Sequence, residues 1–221
     1  MGRLIETLAK DAGDDIVTVI DERGQNSTAA EAAEKLGAAD VAIDFTAADA
    51  VPRNVEACLL AGIPLVEGTT GWNDRKDEIL SLVREKDGAF VFGANFSVGV
   101  NLFYRVASNA AELFAKFTEY EAFIEERHHS RKKDAPSGTA LKLKDVVAEH
   151  IGNDFSVSST RAGNIPGTHT LGFDGPADQI TLTHTARSRE GFASGALLAA
   201  RWIVGKKGVY EFTDVMDEML R

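Results

Sequence analysis

The sequence predicts an α/β fold in two parts, a doubly wound parallel sheet followed by an α+β lobe. Short β-branched runs alternate with helix-patterned stretches through the first hundred residues. After Asn95 the pattern changes to one long amphipathic helix and then to strands separated by Gly and Pro turns. A length of 221 residues is long for one domain and short for two full ones, so one core with a substantial second lobe is expected.

Taken in order, the chain opens on a helix whose apolar positions are Leu4, Ile5, Leu8 and Ala12. The strands of the first part are 16–20 (IVTVI), 41–45 (VAIDF), 63–66 (IPLV) and 89–92 (AFVF), with helical stretches at 29–36, 47–61 and 73–86 between them. A doubly wound sheet normally opens on a strand, and in a dinucleotide-binding unit the turn after that strand carries a glycine-rich phosphate loop. Here the first strand is expected to be missing, with residues 1–3 the last remnant of such a loop. In the second part a helix at 98–117 spaces Leu102, Phe103, Val106, Ala110 and Leu113 on one face. A strand at 118–127, a helix from Ser137 to about Ile151, and strands at 156–161, 168–173 and 179–188 follow, the last with clear alternation. Helical stretches at 192–204 and 213–220 close the chain, which has neither internal repeats nor low-complexity segments.

A formal net charge of −10 argues against nucleic acid as a partner, because phosphate backbones are gripped by a broad face of Lys and Arg. No apolar run approaches the ~18 residues of a membrane span. The one cysteine, Cys58, rules out an internal disulfide and, among Val55, Leu59 and Leu60, reads as a buried thiol in a reducing compartment. The opening MGRLIETLAK has no signal-peptide core, so a cytoplasmic location is expected.

Against this acidic background, residues 127–133 are all basic or histidine except Ser130. A local positive potential of this kind suits a small anion. Strand alternation puts Tyr120, Ala122, Ile124, Glu126 and His128 on one face and His129 on the other, so the two histidines are expected to do different jobs. An imidazole can donate a proton near neutral pH, and its neighbour can hold an anionic group; a solvated pair at a loop edge is the plainer alternative. Lys132 can serve as a fixed charge or as an acid, Arg131 and Lys133 face solvent or a partner subunit, and Asp134 anchors the loop by an ion pair. Pro136 sets a turn, Ser137 or Thr139 can cap the next helix, and Gly138 lets a ligand approach the backbone. Free N–H groups at such a helix start form a carboxylate or phosphate site.

Two glycine-bearing stretches, Gly68-Thr69-Thr70-Gly71 and Gly93-Ala94-Asn95-Phe96, follow parallel strands at the ends where open α/β sheets bind ligands. A cofactor contact or a simple turn fits either one. Asp21, at the end of IVTVI, stands where an acid would grip the ribose of an adenine dinucleotide. His169 and His184 lie in different strands, without clustered cysteines or an H-E-x-x-H spacing, and no metal is expected.

The segment E-x-H-H-x-x-K-x-D-x-P-S-G-T-A, from Glu126 to Ala140, resembles the dihydrodipicolinate reductase family of diaminopimelate and lysine biosynthesis. VEGTTGW at 66–72, GANFSVGVN at 93–101 and HTARSREGFASGAL at 184–197 support the resemblance in the same order. It implies a Rossmann-like dinucleotide-binding domain (1–97 with 206–221) and a substrate-binding and oligomerisation domain (98–205) that builds a homotetramer. It also implies reduction of a small cyclic dicarboxylate by NADH or NADPH, with catalytic His128 and Lys132, and with substrate held by His129, Gly138 and Thr139. The cofactor would meet Asp21, Gly68, Thr69, Thr70, Gly93, Ala94, Asn95 and Phe96. The chain begins at the last Met-Gly of the family's G-x-x-G-x-M-G, and Glu22 stands where many members carry an arginine suited to a 2′-phosphate, which tilts the expectation toward NADH. A rival expectation is a non-catalytic chain that binds the dicarboxylate, or only oligomerises, and has lost dinucleotide binding.

Overall fold

The computed structural model describes residues 1–20 and 27–221. In chain order the elements are α1 (Gly2–Asp11), α2 (Ala29–Leu36), β1 (Ala42–Asp44), α3 (Val51–Ala61), β2 (Leu65–Glu67), α4 (Lys76–Glu85), β3 (Ala89–Phe92) and α5 (Val98–Phe114). They continue with β4 (Glu121–His128), α6 (Gly138–Ile151), β5 (Ser156–Arg161), β6 (Thr168–Asp174), β7 (Gln179–Thr185), α7 (Glu190–Ile203), β8 (Gly208–Glu211) and α8 (Phe212–Met219). The chain divides into two compact units: Met1–Val98 with Phe192–Arg221, and Gly99–Gly191.

The first unit holds a parallel sheet in the order β1-β2-β3-β8. Its strands are apolar on both faces, as a sheet covered by helices on both sides requires. Val66 and Val91 point into one layer with Phe96, Ala196, Ile203 and Phe212. Leu65 and Phe90, one residue earlier on each strand, point into the other with Val55, Ile79 and Val83. A capping box between Thr28 and Glu31 starts α2.

The structure departs from the sequence reading at three places. Residues 16–20 form no strand, and Val17 and Val19 are 51% and 61% exposed. A strand is completed by hydrogen bonds from a neighbour, and among the described residues β1 pairs with β2 alone. The second correction is β8, a four-residue strand the sequence pattern is too short to announce, which pairs with β3 from Ala89↔Gly208 to Phe92↔Glu211. The third is the return to the first unit, which falls at Phe192 rather than at 206. Helix α7 buries Ala193, Ala196, Ala199, Ala200 and Ile203 in that unit's core, and Gly195 is packed so closely that a Cβ there would lie 1.7 Å from the Phe96 carbonyl oxygen. Asp21 and Glu22 lie outside the described residues.

The second unit is a mixed sheet in the order β5-β4-β6-β7, with β4 parallel to β5 and antiparallel to β6. Ile124, Leu171 and Phe173 on one face pack with Val100, Phe103 and Ala107 of α5 and with Leu143 and Val147 of α6. Strand β4, helix α6 and strand β5 form a parallel crossover, and the loop that opens it contains the basic segment. No helix among the described residues is long and apolar enough to cross a membrane.

Candidate active site

Strand β4 ends on His128, and the pleat places Glu126 two residues earlier on the same face. Glu126 is buried, with 1% of its surface exposed, and it gathers donors from three directions. Arg161, at the end of β5, donates to both carboxylate oxygens at 2.5 and 3.0 Å, in a bidentate pair. The Ser137 amide donates to Oε1 at 3.3 Å, and His128 Nδ1 bonds Oε2. Burial is the largest single influence on this carboxyl and works to raise its pKa, but the bonds from Arg161, Ser159 and His128 outweigh it and hold it at about 2. It is therefore an anion at every working pH. With Oε2 as the acceptor, Nδ1 of His128 carries the hydrogen and Nε2 is left for another partner.

Nε2 faces Gly167, whose φ of +125° suits glycine; a Cβ there would stand 3.2 Å from it. Burial lowers the His128 pKa, Lys132 and Arg161 push the same way, and Glu126 opposes them. The ring meets His169 edge-on at 5.1 Å between centroids. His169 is the register partner of both Glu126 on β4 and His184 on β7. Burial, helped by His128, pushes its pKa down to about 4, so it is neutral.

Helix α6 starts where this network ends. Ser137 Oγ accepts the Ala140 amide at 3.2 Å as the N-cap and lies 3.0 Å from His169 Nε2. Gly138 is exposed and Thr139 half-buried in the first turn. Lys132 reaches Asp134 at 2.8 Å, the loop-anchoring pair the sequence suggested. Arg131 and Lys133 are exposed. His129 is half-buried, its Nδ1 without a hydrogen-bond partner among the described residues. Its backbone oxygen accepts from the Lys132 amide at 3.1 Å. His128, Lys132, His129, Gly138 and Thr139 thus lie along one continuous turn between β4 and α6. Glu126, His128 and His169 offer ligand atoms within 4.8 Å of one another, but the Arg161 guanidinium already covers both Glu126 oxygens and opposes a cation there.

In the first unit, the loops after β2 and β3 lie side by side, the Gly93 amide donating to the Glu67 carbonyl at 3.4 Å. A cavity of about 210 Å³ is lined by Met1, Phe45, Thr46, Ala47, Ala48, Gly68, Thr69 and Thr70, at the carboxyl ends of β1 and β2. A Cβ on Gly68 would lie 2.1 Å from the Phe45 ring, which would have to shift to admit any side chain there. The second loop divides: Asn95 Oδ1 caps the Ser97 amide at 2.9 Å, while the Phe96 ring is buried against Phe45 and Phe212. The cavity lies beyond the carboxyl ends of parallel strands, where open α/β sheets bind ligands.

Two family models cover the chain: dihydrodipicolinate reductase, N-terminus, over residues 1–96, and dihydrodipicolinate reductase, C-terminus, over residues 99–216. The chain belongs to the dihydrodipicolinate reductase family. Among curated relatives in this family, 4-hydroxy-tetrahydrodipicolinate reductase of Christiangramia forsetii is 34% identical over 233 residues, covering 100% of this chain and 95% of the relative. That of Archaeoglobus fulgidus is 36% identical over 250 residues, covering 98% and 96%. A solved dihydrodipicolinate reductase from Paenisporosarcina sp. TG-14, bound to dipicolinate, superposes with a TM-score of 0.67 at 25% identity, over 80% of this chain and 73% of that one. An amine dehydrogenase from Mycobacterium smegmatis shares the fold alone, with a TM-score of 0.53 at 10% identity over 97% and 92%. A dihydrodipicolinate reductase is an oxidoreductase that uses a nicotinamide cofactor, and its N-terminal half is the dinucleotide-binding domain.

Sequence reasoning passed over two members of the network. Glu126 was signalled by its place on the His128 face, while Arg161 arrives from a strand 35 residues away and only the register of β4 with β5 brings it in.

Proposed function

We propose that this chain is a 4-hydroxy-tetrahydrodipicolinate reductase, which with NAD(P)H and a proton converts the 4-hydroxylated cyclic dicarboxylate to tetrahydrodipicolinate, the 4-hydroxyl leaving as water, in diaminopimelate and lysine biosynthesis. The observation that carries the reading is the turn from Glu126 to Thr139, where an oriented imidazole, an ammonium and a helix start succeed one another. The dinucleotide supplies a hydride. Glu126 holds His128 with Nε2 turned outward, and that atom delivers the proton which the reduced ring takes up. Burial makes the free imidazole a poor base, and the negative charge of a bound dicarboxylate offsets that by favouring the imidazolium.

Lys132 acts as the second acid, with Asp134 holding its ammonium in place between turnovers. Gly138 and Thr139 present amides at the positive end of the 14-residue helix α6 to a substrate carboxylate, and His129 contacts the same group. Gly68, Thr69 and Thr70, with the backbone of Gly93, Ala94, Asn95 and Phe96, contact the nicotinamide half, and Asp21 the adenosine ribose. Acidic residues at 21 and 22 repel a 2′-phosphate and favour NADH over NADPH. The second unit's sheet carries the homotetramer contacts, and the single buried thiol suits the cytoplasm.

The test is dinucleotide oxidation by the purified chain with freshly generated substrate, run with NADH and with NADPH. Turnover with NADH ahead of NADPH is expected; dicarboxylate binding without dinucleotide binding would favour the non-catalytic rival. Lys132→Ala is expected to lower kcat by about 10² or more, the scale of a lost acid. Steady-state kinetics with kcat and KM separated check this, and an unchanged kcat removes Lys132 from proton transfer.

A further inference from the structure

Beneath the loop at 68–70 lies a carboxyl group that the reaction described above does not use. Glu67, the last residue of β2, has none of its surface exposed. Its Oε1 accepts the Thr69 amide at 2.7 Å, and its Oε2 is buried with no hydrogen-bond partner among the described residues. Across the sheet its register partner is Asp44, also buried. Asp44 already uses both oxygens as acceptors, Oδ1 from the Thr46 amide at 2.9 Å and Oδ2 from Asn54 Nδ2 at 2.6 Å. Two buried carboxylates side by side, one with an orphan oxygen, are a costly arrangement. A proton on Oε2 eases both problems, because it removes one of the two charges and turns the orphan into a donor beside Asp44.

Thr69 is where this pair meets the cofactor side. Its amide rests on Glu67, its hydroxyl accepts the Thr46 amide at 3.0 Å, and its carbonyl accepts Trp72 Nε1 at 2.8 Å. Thr69 also lines the cavity with Gly68 and Thr70. The carboxyl pair therefore fixes the backbone that the cavity presents.

We propose that Glu67 is a positioning residue for the cofactor-facing loop: as a neutral acid it ties Thr69 to Asp44, and loss of that one buried proton unfastens the loop and weakens dinucleotide binding. The proposal rests on the reading of residues 68–70 as a dinucleotide contact. Burial first, and Asp44 second, push the Glu67 pKa up to about 9, so the proton is kept at neutral pH and lost in alkali. Among the described residues, Cys58 on α3 is a further titratable group against the pair; burial, with Asp44 and Glu67, pushes it up to about 12, so it stays neutral over that range. On the β3 side the register partner of Glu67 is Phe92, which carries no charge.

The experiment is an NADH titration of the full chain from pH 7 to pH 10, followed by fluorescence, for wild type, Glu67→Gln and Glu67→Leu. Hydrogen exchange of residues 67–70 without ligand is measured in parallel, relative to intrinsic rates. Wild type is expected to hold a steady Kd near neutrality and to lose up to about tenfold in affinity per pH unit above about 9. Glutamine keeps an acceptor for Thr69 and gains a donor for Asp44, so its Kd and its exchange protection should stay flat. Leucine should weaken NADH about tenfold at every pH while kcat at saturating NADH is unchanged. A Glu67→Gln profile that follows wild type in both measurements overturns the proposal, as does a leucine variant that binds NADH like wild type. Exchange protection that depends on the Glu67 proton, with no NADH binding at any pH, overturns instead the premise that this loop meets the cofactor.

Discussion

His128→Gln is expected to lower kcat by about 10² or more while leaving the melting temperature nearly unchanged. The two effects separate because a glutamine amide can still donate to Glu126, so the buried carboxylate keeps a partner where His128 Nδ1 provided one. What glutamine cannot do is release a proton. The pH profile of the wild type gives an independent reading. The acid form of His128 is required, and burial, despite Glu126, sets its pKa below the ordinary imidazole value. Log kcat/KM should therefore fall with rising pH above that lowered pKa. The dicarboxylate raises the pKa in the complex, so the fall in kcat should begin at a higher pH. Steady-state profiles check both, and a glutamine variant with wild-type turnover removes His128 from proton transfer.

Arg161→Ala should destabilise the protein by roughly 3–5 kcal/mol, the usual scale for removing one partner of a buried ion pair. Glu126 has no exposed side-chain surface, and Arg161 supplies its bidentate ion pair, so alanine leaves a buried anion with only His128, Ser159 and the Ser137 amide as donors. The sign of the pH dependence follows from the depressed pKa. In the folded protein Glu126 titrates at about 2, below its value of 4.5 in a model compound. Its contribution is whole above about 4.5 and is lost as pH falls toward 2. Urea unfolding between pH 3 and pH 7 should show that acid limb in wild type and a shallower one in Arg161→Ala. The double variant Glu126→Leu with Arg161→Met should recover much of the stability, since a packed apolar pair often replaces a buried salt bridge without loss. It should not recover turnover, because His128 then has no acceptor to turn it. Recovery of both would mean that Glu126 does not orient the imidazole.

How much of this was legible depended on distance along the chain. Three of the four strands read in the first part match β1, β2 and β3, with β3 from Ala89 to Phe92 where expected, while the run at 16–20 is no strand. Helix α6 was equally plain, because capping chemistry is local, and the structure gives the cap to Ser137 where the sequence offered Ser137 or Thr139. Strand β8 was not, since its four residues make sense only beside β3. The same holds in the site. His128, Lys132 and the start of α6 sit within a dozen residues of one another and announced themselves as a unit. Arg161 and His169 reach Glu126 only through strand register, which no periodicity encodes. Glu67 hid for a different reason: an acid at a strand end usually faces water, and only the neighbouring Asp44 and the burial of both make it unusual.

The donors that meet on Glu126 come from residues 128, 137, 159 and 161, that is, from the strand's own end, the far side of the basic loop and a strand beyond the whole of α6. Until the crossover is complete, Glu126, the carboxylate that orients His128, lacks the Arg161 and Ser137 donors that fix it in turn. A nascent or partly unfolded second unit can expose every one of its catalytic side chains and still be chemically silent. With His128 as the proposed acid, activity reports that β4, α6 and β5 have all arrived.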